Sequence, residues 1–205
     1  MAERHDARPP RSQQVAAARA ARVPALVRIA LIASLLAIPL AARHAAAAAM
    51  LTAGDTFPTW SLRDQTGATV SSKDLAGKTY LLWFYPRAMT PGCTAEGNGL
   101  RDEAPALAKA GVEVLGVSFD EPAANAEFVK AQGFPFRLLS DDGTLAVQVG
   151  AAESREQSAA RRISYLVGPD GKVVKAYPNV SPATHAHEVL ADATAAKPVA
   201  APPAK

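Results

Sequence analysis

The chain contains one cysteine, Cys93, and the residues around it are of the types that sulfur chemistry requires. They form the stretch Phe84-Tyr85-Pro86-Arg87-Ala88-Met89-Thr90-Pro91-Gly92-Cys93-Thr94-Ala95-Glu96. The thiolate is the nucleophilic form of cysteine, and an ordinary thiol is only about 3% ionised at pH 7. Unpaired backbone N–H groups and the positive end of a helix dipole favour the anion. Proline is tolerated in the first turn of a helix, so Pro91 predicts that Cys93 sits in such a turn. A sulfur held there could attack the weak O–O bond of a peroxide, provided that donors receive the charge developing on the leaving oxygen. Thr90, three residues before Cys93, offers a hydroxyl that both accepts and donates. Pro86 can close a pocket without presenting a competing N–H. A guanidinium, planar and permanently charged, would hold both the thiolate and the leaving oxygen.

Other sulfur chemistries fit less well. Thiol–disulfide exchange of the thioredoxin type uses a second thiol to release the mixed disulfide, and Thr90 stands where that thiol would be. Copper handling would need a Cys-x-x-x-Cys pair with a distant histidine. His185 and His187 lie two apart, with no cysteine or third histidine nearby, so no metal site and no cofactor are expected. No Gly-x-Ser-x-Gly elbow and no phosphate-cradling glycine loop occur. A non-catalytic redox sensor, which oxidises once and stops, stays open beside a catalyst that turns over.

The elements that must position this stretch can be read from apolar patterning. Residues 60–62 and 68–71 flank the turn-forming Asp64-Gln65-Thr66-Gly67 and predict a hairpin. Residues 79–85 are almost continuously apolar, as in a central strand covered on both faces, and stop at Pro86. A loop then leads into a helix through Leu100. Asp102 could cap a second helical segment, residues 103–109, with Gly111 as its stop. Residues 112–118 predict a buried strand, 122–132 a helix and 136–139 a short strand. Residues 162–167 and 173–177 predict strands joined by a Pro169-Asp170-Gly171 turn, and 184–191 a closing helix. This order predicts an α/β thioredoxin-like fold, a mixed central β-sheet flanked by helices, with an N-terminal β-hairpin extension.

Residues 50–190 hold this domain. Before it, arginines 4, 8, 11, 19, 22 and 28 precede an uncharged apolar run, residues 29–42, and then alanines 45–49. The run is shorter than the roughly 18 to 20 residues of a stable span, so residues 1–49 are expected to be a cleaved export signal directing the chain to a bacterial periplasm. The alternative is a membrane anchor through residues 29–42. Residues 191–205, rich in Ala and Pro, are expected to be a disordered tail. Of 22 Lys and Arg, seven lie in residues 1–49; of 19 Asp and Glu, two do. The remainder is therefore slightly acidic and offers no nucleic-acid footprint.

The spacing Pro86-x-x-x-Thr90-x-x-Cys93 resembles the active-site motif of the peroxiredoxins. The wider string through Thr94-x-Glu96 resembles their peroxiredoxin Q (bacterioferritin-comigratory) branch. The likeness continues through Leu100-Arg101-Asp102, residues 114–118, Phe134-Pro135-Phe136, residues 138–141 and residues 162–167. The resemblance implies a thiol-dependent peroxidase acting on hydrogen peroxide and organic hydroperoxides, with an external thiol or thioredoxin-like reductant as partner. It implies a monomer, with a dimer as the alternative. It makes Cys93 the attacking sulfur, Thr90 the hydroxyl on the peroxide, Pro86 the shield and Arg162 the guanidinium facing the pocket, with Glu96 steadying that arginine. Arg161 is the weaker choice, because adjacent strand residues face opposite ways. Many members of the branch carry a second cysteine five residues after the first; here that position is Asn98. The resemblance therefore implies a one-cysteine cycle.

Overall fold

The computed structural model describes residues 49–196. Seven strands form one sheet in the order β2-β1-β5-β4-β3-β6-β7. They are β1 (Ser61–Asp64), β2 (Thr69–Ser71), β3 (Thr79–Phe84), β4 (Val112–Ser118), β5 (Arg137–Ser140), β6 (Ile163–Val167) and β7 (Val173–Tyr177). Helices α1 (Pro91–Lys109), α2 (Pro122–Gln132), α3 (Thr144–Gln148) and α4 (His185–Ala195) surround it. Strands β3, β4 and β5 are parallel to one another, and β1, β6 and β7 join antiparallel to their neighbours. The fold is thioredoxin-like, with the β1–β2 pair built into the sheet edge by the pairing of β1 with β5.

Strand β3 shows why the sheet is central. Leu81 and Trp83 face a core shared with Leu100 and Leu107 of α1, Phe128 of α2 and Val189 of α4. Tyr80, Leu82 and Phe84 face the opposite core, with Leu145 and Ala146 of α3. Alternate residues point to opposite faces of a strand, so a run covered on both sides must be apolar throughout.

Three elements depart from the sequence expectation. α1 is one 19-residue helix with no break at Asp102. Its buried residues Cys93, Glu96, Gly97, Leu100 and Leu107 recur at helical spacing across that point. Asp102 accepts a hydrogen bond from Arg101 Nε at 2.9 Å instead of capping a new helix, and Pro105 is carried inside. α3 was not anticipated. The buried Asp141 carboxylate nucleates it, accepting Leu145 N–H at 3.1 Å and Ala146 N–H at 2.8 Å. α4 extends to Ala195, past the expected helix end at residue 191, so residues 191–195 belong to the folded domain and not to the expected disordered tail. Ala193 packs into the core despite its small size, and Tyr177 donates to Asp192 Oδ2 at 2.9 Å. Residues 1–48 and 197–205, which hold most of the expected signal and tail, lie outside the described residues. Among the described residues, no helix is long and apolar enough to cross a membrane.

Candidate active site

The site lies where the carboxyl end of β3 meets the start of α1, the crevice where open α/β sheets place their ligands. Tyr85 N–H makes the last ladder bond to Val117 O at 3.0 Å, and the half-buried Pro86, which has no N–H, ends the strand. Residues 87–90 then turn the chain into α1. Met89 adopts φ 63°, in the left-handed region, with its side chain 55% exposed. A methionine there gains no burial to offset the unfavourable backbone; the loop is held by bonds around it. Ala88 N–H donates to Asp120 Oδ2 at 2.8 Å, and Ser118 Oγ donates to the same oxygen at 2.9 Å. Behind them, Tyr85 OH donates to Asn125 Oδ1 at 2.6 Å. Burial drives the Tyr85 phenol far above its ordinary value, so it stays a donor.

Thr90 is the N-cap residue of α1, and Pro91, Gly92 and Cys93 form its first turn. The Thr90 hydroxyl does not cap the helix; it donates to Arg87 O at 3.0 Å. Its oxygen keeps lone pairs to accept a proton from a ligand. Cys93 is fully buried.

Arg162 reaches this sulfur from 69 residues away. Phe84 pairs with Ile163 in the β3–β6 ladder, so the residue just before β6 arrives beside the end of β3. Arg162 Nη2 lies 3.3 Å from Cys93 Sγ, and Nη1 donates to Glu96 Oε2. Arg161 turns away, with its backbone N–H on Ala151 O at 2.7 Å and Nη1 on Gly150 O at 3.3 Å. A Cβ on Gly92 would stand 3.1 Å from Arg162 Nη2, so the guanidinium approaches the sulfur across a bare helix backbone.

Glu96 is 1% exposed. Burial pushes its carboxyl above the ordinary range, against the pull of Arg162 and of the nearby Trp83 indole. Partial burial disfavours the Arg162 charge, yet Glu96 and Cys93 hold that guanidinium above its ordinary value. Glu96 thus anchors one end of the guanidinium while its other terminal nitrogen faces the buried sulfur. Next to Glu96 is His185, fully buried, with Nε2 3.0 Å from Ser164 Oγ and 3.8 Å from Glu96 Oε1. Burial lowers the imidazole to about 4, so it is neutral near pH 7. Among the described residues, no group of three or more His, Cys, Asp and Glu is placed to hold a metal.

The structure thus brings Cys93, Arg162 and Glu96 into contact and sets Thr90 and Pro86 on the loop beside them. Asp120, Ser118 and Asn125 were missed by sequence reasoning. Ser118 ends β4, a parallel strand, and Asp120 and Asn125 follow it into α2, so their place at the strand's carboxyl end was the signal available. The spacing of His185 and His187 raises only the question of a metal, and nothing in it points to Glu96.

Comparison with known proteins decides the family. Residues 53–176 match the AhpC/TSA family. Peroxiredoxin Bcp of Escherichia coli (strain K12) is 40% identical over 146 residues, covering 68% of this chain and 93% of that protein. The chain belongs to the peroxiredoxin family. Among solved structures, Peroxidoxin BcpB of Mycobacterium tuberculosis is similar with a TM-score of 0.67 and 33% identity, covering 72% of this chain and 99% of that one. The Xanthomonas campestris bacterioferritin comigratory protein, whose structure concerns alkyl peroxide reduction, has a TM-score of 0.63 and 32% identity, covering 72% and 98%. This peroxiredoxin is of the Bcp type and is a thiol-dependent peroxidase with one cysteine.

Proposed function

We propose that this peroxiredoxin runs a one-cysteine cycle on hydrogen peroxide and organic hydroperoxides, with Cys93 as the attacking sulfur. The observation that carries the reading is Arg162 Nη2 at 3.3 Å from the chain's single sulfur, in the first turn of α1. The Cys93 thiolate attacks the terminal oxygen of the hydroperoxide. The S–O bond forms as the O–O bond breaks, and the leaving alkoxide or hydroxide takes up a proton. Arg162 stabilises the thiolate and then the departing oxygen. The Thr90 hydroxyl accepts the peroxide's hydrogen, and Pro86 shields the pocket.

The product at sulfur is a sulfenic acid. With Asn98 in place of a second cysteine, an external thiol condenses with the sulfenic acid, releasing water and leaving a mixed disulfide. A second thiol then frees Cys93. Cys93 is fully buried, so a bulky external thiol requires its sulfur to come to the surface. The chain acts as a monomer, exported to the periplasm by residues 1–49; retention through residues 29–42 would instead leave the same domain anchored at the membrane.

Peroxide consumption with dithiothreitol, glutathione or thioredoxin as donor tests the cycle. Turnover is expected with at least one donor and is lost in Cys93→Ser. A single oxidation without turnover, whatever the donor, would make the protein a redox sensor. Cell fractionation and N-terminal sequencing of the exported form test the location.

A further inference from the structure

We infer that His185 is a positioning residue of the peroxidatic site, orienting Glu96 and, through it, the Arg162 guanidinium on Cys93. The inference rests on the reading that Arg162 holds the Cys93 thiolate. A continuous polar line crosses the core: Cys93 Sγ to Arg162 Nη2 at 3.3 Å, Arg162 Nη1 to Glu96 Oε2, and Glu96 Oε1 to His185 Nε2 at 3.8 Å. Ser164 Oγ fixes the far end at 3.0 Å from Nε2. The line joins α1, the start of β6 and α4, the elements whose relative placement sets where the guanidinium stands.

Two features argue that the imidazole is there for its polarity. Its surroundings favour an apolar residue: the ring is fully buried, packs edge-on against Tyr177 at 5.1 Å, and leaves Nδ1 without a hydrogen-bond partner. An unpaired buried polar atom lowers stability, so packing alone would favour leucine. The second feature is the other half of the gap. Glu96 Oε1 is also buried without a hydrogen-bond partner, so its orientation depends on the polar groups that face the carboxyl, His185 and the Trp83 indole. A carboxylate has no proton to offer, so attraction requires hydrogen on Nε2, shared between the near Ser164 Oγ and the farther Glu96 Oε1. At 3.8 Å the contact with Glu96 is a charge–dipole attraction and not a hydrogen bond.

The test is the rate of Cys93 sulfenic acid formation in a single turnover, with thermal melting alongside. His185→Leu is expected to slow that step severalfold, up to about a hundredfold, the scale on which misplacing a catalytic group acts. His185→Gln, whose amide nitrogen reaches where Nε2 stood, is expected to restore it; His185→Asn, which is too short, is not. In the Arg162→Ala background His185→Leu is expected to have no further effect, because it acts only through that arginine. A folded His185→Leu with the wild-type rate overturns the inference. Equal rates for the Gln and Asn variants overturn it too, should the leucine variant fail to fold. If Arg162→Ala itself leaves the rate unchanged, the reading of the site fails first, and the two failures are thereby told apart.

Discussion

Arg162 Nη2 sits 3.3 Å from Cys93 Sγ while its other terminal nitrogen is engaged by Glu96. One side chain thus couples the sulfur in the first turn of α1 to a buried carboxylate one helical turn further on. The guanidinium is held at both terminal nitrogens by protein groups, so changes around it should appear as changes in rate.

Gly92 is the closest such change. A methyl group there would meet Arg162 Nη2 at 3.1 Å and Cζ at 3.8 Å, tighter than ordinary contact, so the guanidinium must move. Alanine is also the better helix former, by about 1 kcal/mol in a helix interior. Gly92→Ala is therefore expected to slow peroxide reduction severalfold, up to about a hundredfold, while leaving the melting temperature unchanged or slightly raised. Parallel losses of rate and stability would contradict this.

Asp120 braces the loop from the other side, accepting Ala88 N–H and Ser118 Oγ at 2.8 Å and 2.9 Å. Its loss frees the loop that carries Thr90 and the strained Met89. Asp120→Ala is expected to raise KM for the hydroperoxide severalfold and to lower stability by about 1–3 kcal/mol, the cost of stranding buried donors. Peroxide kinetics and urea unfolding measure the two effects.

Glu96 gives the site an acid limit. Burial raises its carboxyl above the ordinary range, so as pH falls Glu96 is protonated, and releases Arg162, before an exposed carboxylate would titrate. The rate of Cys93 oxidation should fall on the acid side through that raised value. Glu96→Gln is expected to be slower near neutrality and to lack that limb. A variant with an unchanged acid limb would assign the limb elsewhere.

His185 links stability to pH. Its imidazole, ordinarily near 6.5, is lowered by burial to about 4. Between these values the unfolded chain binds a proton that the folded chain refuses. The stability contribution is thus fully present above about 6.5 and is lost as pH falls toward 4, a change of roughly 3 kcal/mol. Urea unfolding at pH 7 and pH 4.5 should show a smaller acid loss for His185→Leu than for the wild type. Equal losses would contradict the burial argument.

Much of this architecture was legible in the chain. Strands β4 and β7 and helix α2 are bounded by glycine, proline or turn residues, and these local signals mark their ends. The Pro86-to-Cys93 stretch is contiguous, so its chemistry could be read before any fold was known. Arg162 came only through the family likeness, because its place beside Cys93 depends on the Phe84–Ile163 register across the sheet. His185 and Asp120 needed the tertiary structure for the same reason. The continuity of α1 through Asp102 was misread because a capping residue type is local, whereas the buried stripe from Cys93 to Leu107 that keeps the helix whole is set by packing. Helix α3 was missed because five residues carry too little periodicity to stand out.

The central claim is that one sulfur takes the oxygen and no other sulfur in the chain resolves it. Intact-mass spectrometry after one equivalent of hydrogen peroxide, without reductant, tests this directly. The account predicts a monomer heavier by one oxygen atom, absent in Cys93→Ser. A disulfide-linked dimer as the sole product, or an unmodified chain, would contradict it.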